Sequence, residues 1–308
     1  MNLAVLCSGG DAPGMNAAVW RLFAGAEARG WEPVAMRNGY AGMLTGEVLP
    51  LGTEDAARHA RHGGAWLGVA RVPDLADRLD QAITALSGYD ALVVVGGDGS
   101  LRGAQAIAKL WDKPVMGLPA TIDNDIAATD LSIGHDTALA FALDAADRQR
   151  DSAEALPRLF CLETLGGPTG HLAIGVGRIA GAQTILIPEA PKTQDEVVAE
   201  ILPAVLAGTP ALIVASEGYM DLHSFLCGIC DRVGLRLRLT NLGHAQRGGA
   251  PTPRDRALAA AFAETALAAI AAGQSGISVL KNGVPKRAVF AALDKNIAPD
   301  FSRWRGLL

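Results

Sequence analysis

Short continuous apolar runs alternate along this chain with longer segments whose apolar residues recur at helical spacing. Leu3–Cys7, Ala91–Val95 and Pro114–Leu118 are runs of strand length, and Gly14–Arg29 and Leu101–Leu110 carry the helical pattern. Arg158–Leu162, Thr184–Ile187, Ala211–Ala215 and Leu235–Thr240 repeat the strand signal, with helical patterns between most of them. Strands apolar on both faces and alternating with amphipathic helices predict parallel sheets covered by helices on either side. The expected fold class is therefore α/β, with two Rossmann-like, three-layer α/β/α domains. In such sheets ligands gather at the carboxyl ends of strands. The loops that directly follow strands are expected to line an active-site cleft between the domains.

Composition narrows the partners. The chain has 308 residues, 50% of them hydrophobic and 19% charged, enough for a large core and about two domains. Its formal net charge is -5 and it contains no basic block, which argues against nucleic acid and anionic membranes as partners. Any small anion must be held by local basic residues. The longest apolar segment, Ala257–Ala272, is alanine-dominated, carries Glu264 and Thr265, and reads as a packed helix rather than a membrane span. The N-terminal MNLAVLCSGG has no positive n-region, and its apolar run is about one strand long, so no targeting signal is expected. Of the cysteines Cys7, Cys161, Cys227 and Cys230, two sit in strand-like runs, as expected of a reduced, cytoplasmic protein. Cys227 and Cys230 form a lone CxxC. It reads either as a redox or zinc pair or as two partly buried helix cysteines, and no second cysteine pair supports the former.

The strand-end loops carry the candidate chemistry. SGGDAPGMN (8–16) and GGDGS (96–100) are glycine-rich strand-to-helix turns, where backbone N–H groups and a helix N-terminus can take a phosphate. Neither matches GxGxxG or the GxxxxGK[ST] loop, so a plain tight turn remains the alternative for the first. Asp98 in the second fits either a Mg²⁺ ligand or a helix N-cap. PATIDND (119–125) places Thr121, Asp123 and Asp125 on one side if the loop is extended. Either acid could serve as the base for phosphoryl transfer while the other stands near the metal; an Asx-turn cluster is the competing reading. Arg158, Arg238, His244 and Arg247 supply basic groups in or after other strands, and Arg clamps phosphate with two donors. Glu217 follows the ALIVA run, where a sugar hydroxyl could be bound. These residues predict a phosphoryl-transfer enzyme with a metal-phosphate side and a phosphosugar side.

Taken together, SGGDAPGMN, NGYAGM (38–43), GGAWLGVAR (63–71), GGDGS, TIDND, IGHDTAL (133–139), LGHAQRGG (242–249) and DR (255–256) resemble the 6-phosphofructokinase family of the bacterial ATP-dependent type. The resemblance covers nearly the whole chain except the last thirty or so residues. It implies phosphoryl transfer from Mg-ATP to the 1-hydroxyl of fructose 6-phosphate, with Asp123 as general base. It implies Thr121 against the transferring phosphoryl group, Asp125 near the metal and Asp98 as the Mg²⁺ ligand. Gly10, Tyr40, Arg71, Gly99, Ser100 and Gly103 match ATP-site positions. Leu165, Gly166, Gly167, Glu217, His244 and Arg247 match the sugar-phosphate site. Arg158 and Arg238 match arginines donated across a subunit interface, implying a homo-oligomer, a dimer or tetramer. The implied domains are 1–137 with 253–300 for ATP, and 138–252 for the sugar phosphate.

Pyrophosphate-using relatives carry Asp where this chain has Gly99 and Lys where it has Ala120, so ATP is the expected donor. The chain also departs from the family. Gly167 stands where the family has an arginine, which leaves room for a related acceptor such as sedoheptulose 7-phosphate. The effector-site arginines on the first long helix align with Trp20 and Ala24, and a lysine pair aligns with Gly208 and Thr209. Arg150 is among the few effector-site basic residues retained, which argues against regulation through that pocket. A pyrophosphate-dependent kinase and a non-catalytic phosphosugar or nucleotide sensor are the alternatives.

Overall fold

The computed structural model describes residues 1–155 and 158–294. In chain order the elements are β1 (Asn2–Ser8), α1 (Met15–Glu27), β2 (Glu32–Met36), α2 (Gly39–Thr45), β3 (Val48–Leu49), α3 (Thr53–His59), α4 (Leu79–Ala85), β4 (Ala91–Gly96), α5 (Asp98–Leu110), β5 (Val115–Thr121), β6 (Ile133–Gly134) and α6 (His135–Glu154). Then follow β7 (Arg158–Thr164), α7 (His171–Ile179), β8 (Thr184–Leu186), α8 (Gln194–Leu206), β9 (Ala211–Ser216), α9 (Leu222–Val233) and β10 (Arg236–Asn241). The chain closes its described part with α10 (Pro253–Ala271), β11 (Gly276–Lys281) and β12 (Val284–Ala288). Among the described residues two compact units emerge: 1–137 with 247–294, and Ala138–Gln246.

The first unit is built on an eight-stranded sheet in the order β12-β11-β5-β4-β1-β2-β3, with β6 paired to β5. Its central pairs β1–β2, β1–β4 and β4–β5 are parallel, and antiparallel pairing is confined to the margins, β2–β3 and β11–β12. The reason lies in the side chains. β1, β4 and β5 are buried along almost their whole length, so both faces must be covered, and the helices that connect parallel strands cover them. Leu6, Val94, Leu101, Ile107, Ile277 and Leu293 belong to one core cluster on this sheet. The alanine-rich α10 is a packed helix, burying Leu258, Phe262, Leu267 and Ile270, and no described helix is long and apolar enough to cross a membrane.

The second unit has a wholly parallel four-stranded sheet, β10-β7-β9-β8. Its central strands β7 and β9 are buried, whereas the edge strand β10 alternates, with Arg236, Arg238 and Thr240 exposed and Leu237 and Leu239 packed on the core. Helix α8 starts with a capping box in which Thr193 and Glu196 satisfy each other's backbone N–H groups.

Two sequence expectations are modified. The chain returns to the first unit at Arg247 rather than at 253. The intervening residues pack there: Arg247 Nη1 donates to the Asp11 carbonyl at 3.2 Å, and a Cβ on Gly63 would lie 2.3 Å from the Gly249 carbonyl oxygen. Nor is 121–125 extended. Thr121 ends β5, and Asn124 turns the chain with φ 53°.

Candidate active site

Neighbouring parallel strands place their carboxyl ends side by side. Ser8 of β1 pairs with Gly96 of β4, and Gly96 pairs with Pro119 of β5, so the three loops that follow emerge at one level. They frame a cavity of about 610 Å³, the size of a typical small-ligand site. Gly9 and Gly10 come from the first loop, Gly97–Ser100 from the second, and Ala120, Thr121, Asp123 and Asp125 from the third. Tyr40, Arg71, Leu75, Arg102, Gly103 and Arg247 complete much of the wall.

Each part has a local cause. Helix α5 begins at Asp98, and Gly97 caps it without a side-chain bond, so its first N–H groups and positive dipole end lie at the cavity. The Tyr40 hydroxyl donates to the Ser100 carbonyl at 2.6 Å. Burial pushes that phenol well above its usual pKa, so it stays a neutral donor. A Cβ on Gly103 would lie 2.9 Å from Leu75 Cδ2 and 3.0 Å from the Tyr40 ring, so glycine lets α5 pack closely on that aromatic wall. A Cβ on Gly10 would lie 2.7 Å from Arg247 Nη1, so a side chain there would push the guanidinium from this position. Gly99 differs: a Cβ there meets nothing within 4 Å, and its φ is not one that disfavours side chains. Neither packing nor backbone conformation demands glycine at 99.

The turn after β5 fixes the acids. Thr121 Oγ1 accepts from the Asp123 N–H at 3.2 Å and donates to Asp123 Oδ2 at 3.4 Å. Asn124 Oδ1 accepts from the Ser132 N–H at 2.8 Å, and the Ser132 hydroxyl donates to the Thr121 carbonyl at 2.6 Å. The local turn is thus built on the Thr121 hydroxyl rather than on an Asx side chain, and Asp123 and Asp125 both line the cavity. Behind it, buried Asp255 accepts from the Gly134 N–H at 3.0 Å and the Thr137 N–H at 2.8 Å, tying α10 to the start of α6. Burial raises the Asp255 pKa.

The remaining candidate residues lie in the second unit. Glu217 follows β9 and accepts from the N–H groups of Gly166, at 3.2 Å, and Gly167, at 2.8 Å. It thereby holds the loop after β7, in which Leu165 is buried and Gly167 is half-buried at φ 56°, with open space where a Cβ would stand. Gln246, missed in the sequence, is 1% exposed and its Oε1 accepts from the Leu165 N–H at 2.7 Å, latching the same loop. Its neighbours His244 and Arg247 drew attention by charge; a buried amide leaves no comparable signal. His244 is exposed in the 3-10 turn Gly243–Arg247. Arg158 opens β7 half-buried, and Arg238 is exposed on β10, its Nη1 donating to the Leu237 carbonyl at 3.1 Å. The structure brings Asp98, Gly99, Ser100, Gly103, Gly10, Tyr40, Arg71, Thr121, Asp123, Asp125 and Arg247 together on one cavity; Arg158, Leu165, Gly166, Gly167, Glu217, Arg238 and His244 are not among its lining.

Cys227 and Cys230 are free thiols on α9. Burial pushes Cys230 up to about 11, and Cys227 Sγ lies 3.7 Å from His223 Nδ1 one turn away. Cys227 is half-buried and Cys230 buried on that helix.

The sequence model described as phosphofructokinase matches residues 2–270. The chain belongs to the phosphofructokinase family. It is 40% identical over 285 residues to the ATP-dependent 6-phosphofructokinase 1 of Thermus thermophilus, covering 90% of this chain and 88% of that one. It is 41% identical over 283 residues to the ATP-dependent 6-phosphofructokinase of Streptococcus pneumoniae, covering 90% of this chain and 84% of the other. Among solved structures, the phosphofructokinase of Pichia pastoris in its T-state superposes with a TM-score of 0.89 at 30% identity; the match covers 95% of this chain but 35% of that longer one. A pyrophosphate-dependent phosphofructokinase from Marinobacter aquaeolei shares the fold, with a TM-score of 0.87 at 19% identity over 96% of this chain and 84% of its own.

Proposed function

We infer that the protein is an ATP-dependent 6-phosphofructokinase, transferring a phosphoryl group to the 1-hydroxyl of fructose 6-phosphate in glycolysis. The observation that carries this reading is the pooling of two glycine-rich strand-to-helix turns and the Thr121–Asp123 turn on one cavity at three adjacent strand ends.

We assign the roles as follows. The nucleotide's base and ribose lie along Tyr40, Leu75 and Gly103, and its phosphates run over Gly10 and the first N–H groups of α5. Arg71 and Arg247 offset phosphate charge. Asp123 accepts the proton of the attacking hydroxyl, held for that task by the Thr121 hydroxyl. Glu217, the Leu165–Gly167 loop, His244, Arg158 and Arg238 hold the sugar phosphate. A homo-oligomer supplies Arg158 and Arg238 from a neighbouring subunit, and the enzyme works in the cytoplasm.

The donor set suits Mg²⁺ carried in by the nucleotide. Asp98, Asp123 and Asp125 are the carboxylates on the cavity wall; with Asp123 kept for the proton, Asp98 and Asp125 are left for the ion, and Mg²⁺ takes one or two protein carboxylates beside phosphate and water. We assign Asp98 as the ligand, with Asp125 close by. When bound, the ion neutralises charge on the transferring phosphates. Everything else falls to the protein: orienting the donor, excluding water and moving one proton onto Asp123.

The test is a matrix of donors (ATP, GTP, pyrophosphate) against acceptors (fructose 6-phosphate, sedoheptulose 7-phosphate), read as kcat/KM. ATP with fructose 6-phosphate is expected to lead. A maximum in the pyrophosphate arm, or no bisphosphate product from any pair, overturns the reading.

A further inference from the structure

We propose that Arg102 is a positioning residue of the nucleotide site: it holds Asp98 from behind and keeps the site from taking a divalent cation that arrives without nucleotide. This rests on the nucleotide-site assignment above. Arg102 lies one turn after Asp98 on α5, and its Nε donates to Asp98 Oδ2 at 2.7 Å. Its other two nitrogens are spent on the far side. Nη2 donates to the Leu293 carbonyl at 3.1 Å, and Nη1 reaches Asp294 Oδ1 at 3.4 Å. Leu293 is 1% exposed and belongs to the core of the first unit, so this anchor is rigid. A guanidinium pinned at one end by a core carbonyl presents its Nε in one direction, and its planar fork does what a flexible ammonium cannot.

Two consequences follow. The Asp98 carboxylate is held in one orientation with Oδ2 engaged, and Oδ1 takes no part in that bond. Both Arg102 and Asp98 line the cavity, so a fixed positive charge stands beside the carboxylate that would receive the metal. A lone divalent cation meets a carboxylate whose charge this guanidinium already offsets, and is disfavoured relative to a free carboxylate. A metal–nucleotide complex carries net negative charge, so the same guanidinium attracts it. Arg102 thereby couples metal entry to nucleotide entry. An i,i+4 Asp–Arg pair on a helix is ordinarily a minor surface contact. Here the anchor on Leu293 and the place on the cavity wall set it apart.

Binding of Mn²⁺, measured by electron paramagnetic resonance on the whole chain with and without ADP, tests this independently of turnover. Wild type is expected to bind Mn²⁺ weakly alone and tightly with ADP. Arg102→Gln should bind free Mn²⁺ about tenfold more tightly, the size of one screened unit charge at such a distance, while its KM for Mg-ATP rises. Arg102→Lys should keep the low free-Mn²⁺ affinity, because it keeps the charge, yet share the raised KM. Circular dichroism melting confirms that the variants fold. Free Mn²⁺ affinity unchanged in Arg102→Gln overturns the proposal, whatever happens to KM. Wild type that fails to bind Mn²⁺ even with ADP overturns instead the nucleotide-site assignment on which it stands.

Discussion

At the scale of single residues, charge and glycine made the site legible, while uncharged or paired side chains stayed hidden. Asp123 stood out together with Thr121 and Asp125 after a strand-like run, with an Asx-turn cluster as the competing reading. Asp123→Asn keeps the turn with Thr121 but removes the proposed proton acceptor, so kcat should fall by about 10²- to 10⁴-fold with little change in nucleotide binding. Near-normal turnover would remove Asp123 from the mechanism. Gly99 makes a sharper prediction. Because a Cβ there meets nothing within 4 Å, Gly99→Asp should leave stability within about 0.5 kcal/mol of wild type in urea unfolding. The new carboxylate instead enters the cavity and meets the phosphates, so calorimetric titration should show ATP affinity at least about tenfold weaker. A variant that fails to fold would mean that glycine is structural at 99 after all. Arg102 and Gln246 both escaped the sequence. The sequence singled out neither, because the partners that reveal what each one holds, the Leu293 carbonyl for Arg102 and the Leu165 N–H for Gln246, lie far along the chain.

Between residues and the molecule stand the elements, where periodicity served well and loop geometry did not. The apolar runs located β1, β4, β5, β7 and β9, since buried parallel strands are continuous apolar stretches. They could not reveal that 121–125 bends, because the left-handed turn at Asn124 depends on its long-range bonds to Ser132. The segment after α3 shows similar long-range lacing. Asn16 of α1 donates to the carbonyls of His62 and Gly63 and accepts from the Trp66 N–H at 2.7 Å. This clamps the His59 ring on Trp66 at a centroid distance of 3.7 Å. Desolvation, with His62 and Arg58 nearby and Asp55 opposing them, lowers the His59 pKa below 6.5. The folded state therefore favours neutral His59: its contribution is complete above the ordinary histidine range and is lost as pH falls through the lowered value. Trp66 emission should report this as a step below pH 6.5 that is absent from His59→Gln. A step in that variant would assign the change to another group.

For the whole molecule, alternation of strands and helices was enough to predict two α/β units, but the return point was not readable. It depends on the packing of Arg247 and Gly249 against Asp11 and Gly63 rather than on any break in composition. Assembly is the remaining large-scale question, and β10 bears on it. Two of its inward residues, Leu237 and Leu239, pack on the core, while Arg236 and Arg238 line an exposed strand edge. Exposed edges in stable proteins are charged or covered, and this one is charged. If Arg238 serves a neighbouring subunit's sugar phosphate, activity must be divisible between chains. Asp123→Asn lacks the base but can donate its arginine; Arg238→Ala lacks the arginine but keeps its base. Each alone should be nearly inactive. In a symmetric assembly, random exchange between equal amounts of the two places an intact base with an intact arginine in about a quarter of the sites. Mixing after mild dissociation should therefore restore about a quarter of wild-type activity. If both residues act within one chain, no mixture can contain a complete site, and activity stays at the sum of the two separate variants.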